Sequence, residues 1–181
     1  MHPNFLTTLR FLTGMFSAFL FSIDNFYWRW EAILILTISL LLDRADGEFA
    51  RQTGRTSKFG HKYDLVADGV SNAALFAGIG YGMPSNSLGG YAMEVGMAAG
   101  IAILGTEFLV MRAHDTGIKN TKDIGNFYGF DPDDGMFLVP VVLAFHWENA
   151  LLIITVIGAI ISLLVTLVMV VRGSKNSAGK L

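Results

Sequence analysis

Four aspartates fall within one short stretch of this 181-residue chain: Asp43 and Asp46, then Asp64 and Asp68. The members of each pair are three or four residues apart, so on a helix each pair shares one face. The connection between the pairs is short, which makes the two helices antiparallel neighbours and brings four carboxylates toward one point. Unpaired carboxylates at such density repel one another and are driven toward protonation. A divalent cation removes that conflict, and an all-oxygen ligand set selects hard ions, Mg2+ or Mn2+ rather than zinc. Two such ions suit phosphoryl transfer, because they neutralise phosphate oxygens and orient the attacking and leaving groups. The alternative, solvated helix ends, accounts for any one aspartate (Asp64 as an N-terminal charge on a helix dipole, for example) but poorly for four at these spacings. Gly47 and Ala50 follow Asp43 on the same face and leave room for a ligand, Gly60 precedes Asp64 by four residues, and Arg51 is placed to reach a phosphate oxygen.

The elements that must carry these residues are apolar. The chain is 52% hydrophobic and 15% charged, with a mean hydropathy of +0.50; soluble domains average about 25% charged residues. Apolar runs occupy Phe5–Ile23, Phe26–Leu42, Tyr63–Gly82, Tyr91–Met111, Met136–Trp147 and Ala150–Val171. A bilayer core needs roughly 20 apolar residues per helix. The reading is an all-α polytopic membrane protein of six transmembrane helices, the fifth crossing only if its helix starts near Asp131. One membrane domain is expected over residues 1–172, followed by a mobile polar tail, 173–181. The first run is too long for the apolar region of a cleavable signal peptide and has no small-residue cleavage site after it.

With six spans, all thirteen Lys and Arg residues except Arg29 fall on one side, and the positive-inside rule makes that side cytoplasmic. Both termini, the loops Gln52–Lys62 and His114–Gly135, and the four aspartates are then cytoplasmic. Trp28, Trp30 and Trp147 gather on the far side as an interfacial belt. The chain has no cysteine, which excludes disulfides, thiolate metal sites and a Cys nucleophile. A pI near 6.0 gives no reason to expect nucleic acid as a partner.

The stretch from Asp43 to Asp68 resembles the CDP-alcohol phosphotransferase family of integral membrane enzymes, whose pattern is D-x2-D-G-x2-A-R-x8-G-x3-D-x3-D. Asp43, Asp46, Gly47, Ala50, Arg51, Gly60, Asp64 and Asp68 match it without departure. The resemblance implies that an alcohol attacks the phosphate of a CDP-linked donor and that CMP leaves. It assigns the four aspartates to two divalent ions, Asp68 also to general-base work, and Gly47, Arg51 and Ser57 to the CDP moiety. Pro3-Asn4-Phe5-Leu6-Thr7 is similar to the family's P-N-x-x-T segment, which places Asn4 and Thr7 beside the nucleotide; a helix start with Asn4 as cap reads equally well. The resemblance also implies a homodimer, and Gly78, Gly80, Gly96, Gly100 and Gly105 are expected to allow close helix packing.

The acceptor is less sharply marked. Arg112 matches an Arg-Ala-Glu of phosphatidylinositol-type and phosphatidylserine-type members, but His114 stands at the Glu position. Arg112 is assigned to the acceptor, against a reading as a snorkelling helix end. Asp131, Asp133 and Asp134 would suit a cationic substrate group, but a solvated turn is the favoured reading, since Asp-Pro and Asp-Gly are common turn elements. Two donors stay open: CDP-diacylglycerol, which leads, and a CDP-linked polar alcohol, to which Glu48 points. A divalent-cation transporter is a remote third reading, because transporters place ligands near the bilayer midplane. His61 is expected in a polar loop and His146 at the far interface.

Overall fold

The computed structural model describes residues 3–23, 26–53, 58–84, 87–115 and 135–178. Among these there are six α-helices and no strand: α1 Pro3–Ser22, α2 Phe26–Thr53, α3 Lys58–Tyr81, α4 Ala92–Asp115, α5 Leu138–Ala144 and α6 Glu148–Ala178, with a 3-10 turn at Ser87–Gly90. The helices run past the apolar stretches that mark them. α2 and α3 extend into the expected loop 52–62, so that Gly60 and His61 are helical rather than loop residues. No proline interrupts either end, and polar residues are good enough helix formers to continue a turn begun in an apolar segment. For the same reason α6 continues through Ala178, beyond the boundary expected at residue 172.

Among the described residues, three helices are long and apolar enough to cross a membrane: Phe5–Ser22, Ala92–Ala113 and Glu148–Gly173. The two aspartate-bearing helices are not among them. In α2 the uncharged stretch between Glu31 and Asp43 is only residues 32–42, and in α3 it begins after Asp68. The described part of the fifth run is a seven-residue helix, about 10 Å long at 1.5 Å per residue, too short to cross a bilayer core by itself. Apolar side chains dominate the exterior; Ile154 is 70% and Ile101 66% exposed, as a lipid-facing surface requires.

The packing order corrects one expectation. α2 and α3 are not each other's main neighbours. α1 lies between them and packs extensively on both; α3 then packs on α4, α4 on α6, and α5 bridges from α6 back to α2. Small residues make these approaches possible. A Cβ at Gly78 would collide with the carbonyl oxygen of Ala18, and one at Gly100 would lie 2.8 Å from the carbonyl oxygen of Ala73. Both glycines meet the packing role expected of them. Hydroxyls join the same seams: Ser17 donates to the Ala32 carbonyl and Ser39 to the Arg10 carbonyl, each at 2.9 Å. Between apolar helices such contacts supply specificity that hydrophobicity alone does not.

The helix ends alternate. Ile23, Arg29, Gly82, His146 and Glu148, at or beside ends of α1, α2, α3, α5 and α6, line one cavity of about 340 Å3. Arg29 there forms an ion pair with Glu148 and donates to the Leu143 carbonyl at 2.6 Å. The lone cation expected on the far side is therefore paired within the fold. The aspartates lie at the opposite ends of α2 and α3.

Candidate active site

Carboxylate oxygens of Asp43, Asp64 and Asp68 lie within 4.8 Å of one another. The three side chains are 34%, 42% and 28% exposed. Asp43 comes from the last third of α2, Asp64 and Asp68 from the first turns of α3. Asp46 stands apart from this trio and is only 6% exposed. The Thr7 hydroxyl donates to its Oδ2, while its Oδ1 is buried with no hydrogen-bond partner among the described residues.

Sequence reasoning missed Arg10. Its guanidinium, 5% exposed, is inserted between the carboxylates: Nη1 lies 2.5 Å from Asp43 Oδ1 and 3.3 Å from Asp64 Oδ1, and Nη2 pairs with Asp68 Oδ1. A signal was present. Arg10 is the one charge in the first apolar run, and charges in such runs are seldom idle. It also follows Thr7 by three residues, on the same helix face. Thr7 and Arg10 thus reach both halves of the aspartate set from α1. Thr8 and Tyr63 join α1 to α3 by a hydroxyl–hydroxyl bond of 2.9 Å, and the Arg44 guanidinium stacks 5.5 Å from the ring centre of Phe137.

Behind the trio is a small cavity of about 30 Å3, lined among others by Arg10, Asp43, Asp68, Ser71, Asn72 and Met136. Asn72 and Met136 also line a much larger apolar groove, about 630 Å3, between α3, α4, α5 and α6. Glu107 borders this groove, and its side chain sits 3.2 Å from where a Cβ at Gly69 would lie.

The other expected site residues are more scattered. Gly47 is exposed and Gly60 half-buried. Arg112 is exposed on the last turn but one of α4. The side chains of Asn4, Ala50, Arg51 and His114, and all of Ser57, Asp131, Asp133 and Asp134, lie outside the described residues.

The donor set fits a divalent ion. Three carboxylates converge around one guanidinium, and Asp46, outside that trio, has a buried oxygen with no hydrogen-bond partner among the described residues. A buried carboxylate oxygen without a donor is costly; a hard cation satisfies it.

The sequence model of the CDP-alcohol phosphatidyltransferase family matches residues 1–161. The chain belongs to that family. It is 38% identical over 80 residues to an archaetidylinositol phosphate synthase of Pyrococcus horikoshii, covering 44% of this chain and 41% of that one. It is 33% identical over 128 residues to a CDP-diacylglycerol–serine O-phosphatidyltransferase of Helicobacter pylori, covering 70% and 50%. It is 26% identical over 175 residues to a bifunctional IPC transferase and DIPP synthase of Aquifex aeolicus, covering 96% and 40%. The matches thus span half or less of these relatives' own lengths.

Proposed function

We propose that the protein transfers a phosphatidyl group from CDP-diacylglycerol to the hydroxyl of a small polar alcohol, releasing CMP, in membrane phospholipid synthesis. The observation that carries this is the convergence of Asp43, Asp64 and Asp68 from two helices. The four carboxylates would hold two ions, Mg2+ or Mn2+, which when bound supply charge neutralisation to the phosphate oxygens and acidify the attacking hydroxyl. Asp68 accepts the acceptor's proton; as a carboxylate among cations it is a weak base, so its contribution depends on position. Gly47 leaves the α2 backbone open for the cytidine diphosphate. Asn4, Thr7, Ala50, Arg51, Ser57 and Gly60 border the same moiety, and Arg112 serves the acceptor. Breaking the phosphoanhydride and forming the new phosphodiester conserves the phosphate, and the proton lost by the alcohol leaves through Asp68.

The lipid donor is favoured by the apolar groove, which shares Asn72 and Met136 with the carboxylate cavity and is large enough for acyl chain. The relatives named for CDP-diacylglycerol support the same choice. A second reading, donation from a CDP-linked polar alcohol, is favoured by Glu48 within the Asp46-Gly47-Glu48 stretch. The site faces the cytoplasm of a six-span fold with both termini inside, and the protein works as a homodimer.

The test is CMP release by purified protein with Mn2+ or Mg2+, offering CDP-diacylglycerol with serine, inositol phosphate and other polar alcohols, then polar CDP-alcohols with lipid acceptors. CMP formed with the lipid donor and lost on exhaustive chelation is expected. CMP formed only with polar donors overturns the choice of donor, and full activity after chelation overturns the two-ion account.

A further inference from the structure

We propose that Arg10 is a built-in cation of this site. It holds Asp43, Asp64 and Asp68 together before metal enters and then competes with the ion for the same oxygens, so that it sets the metal concentration at which the site fills. The inference rests on the reading of the aspartates as metal ligands.

The geometry leaves Arg10 little else to do. Its guanidinium is buried to 5% exposure and makes ion pairs with all three convergent carboxylates. Guanidinium stays protonated at any physiological pH, so its charge is permanent. A planar fork with several donors can meet carboxylates on two helices at once, which a compact ammonium cannot do as well. The backbone is fixed too, because Ser39 of α2 donates to the Arg10 carbonyl at 2.9 Å. The contacts are made to Oδ1 of Asp43, Asp64 and Asp68, the same three carboxylates that could hold a metal ion. A cation approaching this cluster therefore meets a site already occupied by one positive charge. It must displace at least one guanidinium contact and is repelled by the same charge.

The measurement is Mn2+ affinity of the full-length protein in detergent, without substrate, from the electron paramagnetic resonance signal of free Mn2+, together with melting temperature in EDTA. Removing the charge in Arg10→Gln is expected to tighten Mn2+ binding about ten-fold, since a neighbouring unit charge shifts ion binding on that order. The same variant should melt lower than wild type in EDTA, with the gap narrowed or closed by Mn2+. Arg10→Lys, which keeps the charge but not the fork, should show a smaller gain in affinity and covers the case in which Arg10→Gln does not fold. Affinity unchanged or weakened in the variant that folds overturns the proposal, and a role confined to packing predicts that result. Wild-type protein that binds no Mn2+ overturns the metal reading itself, and the inference with it.

Discussion

The contact between Thr7 and Asp46 joins the N-terminal helix to the one aspartate of the four that lies outside the convergent trio. Both residues are buried, and the hydroxyl is the donor to one carboxylate oxygen while the other has none. Thr7→Val keeps the shape and removes the donor. A buried carboxylate that loses its donor costs about 1–3 kcal/mol, so the variant should melt lower in EDTA and recover on Mn2+ addition; an unchanged melt would show that Thr7 does not hold Asp46. Asp68→Asn keeps size and hydrogen bonding but removes the base. CMP release should fall about 10²–10⁴-fold with binding of the CDP-linked substrate retained, as read by competition at equilibrium. Near-normal turnover would remove Asp68 from the chemistry. The aspartates were legible from spacing alone, because i, i+3 and i, i+4 repeats report a helix face directly. Arg10 was not. It lies 33 residues from Asp43 and 54 from Asp64, and no periodicity within one helix relates positions on three.

α1 is the wedge that makes the site, since the helices carrying the aspartates meet across it rather than against each other. The position of Gly78 on α3 fixes how close α1 comes. Any Cβ there runs into the Ala18 backbone, which cannot move as a side-chain end can. Gly78→Val should therefore destabilise by about 1–3 kcal/mol or more, read as a lower melting temperature in detergent. Gly158→Ala is the control, because a Cβ at Gly158 meets nothing within 4 Å; it should melt no lower than wild type. Equal melting of the two would remove close backbone approach as the reason for the α1–α3 seam. Hydropathy made the helices visible and the glycines were flagged as packing positions, yet the wedge order was not readable. Apolar helices choose partners by the shape of small-residue grooves and by single hydroxyl–carbonyl bonds, and neither leaves a mark in composition. Polarity at the aspartate-bearing ends also masked helix length: residues 52–53 and 58–62 read as loop because they are hydrophilic, though they are helical.

For the molecule as a whole, the carboxylates gather at one end of the helices and the Arg29–Glu148 pair at the other. That separation gives the fold two chemically different ends, and the proposed topology turns the aspartate end toward the cytoplasm. α6 makes the assignment testable, because Glu148–Gly173 is long and apolar enough to cross a membrane and this chain has no cysteine to interfere. Asn149→Cys and Lys175→Cys place single thiols near the two ends of this helix. With membrane-impermeant maleimide applied to intact cells, Asn149→Cys should label and Lys175→Cys should label only after permeabilisation. The reverse pattern would put the active site on the outside, away from cytoplasmic CDP-linked donors. Labelling of both from one side would mean that α6 does not cross. The expected pattern would place the Asp43–Asp68 cluster on the face where CMP can be released into the cytosol, because the aspartates lie at the same end of the bundle as the C-terminal turns of α6.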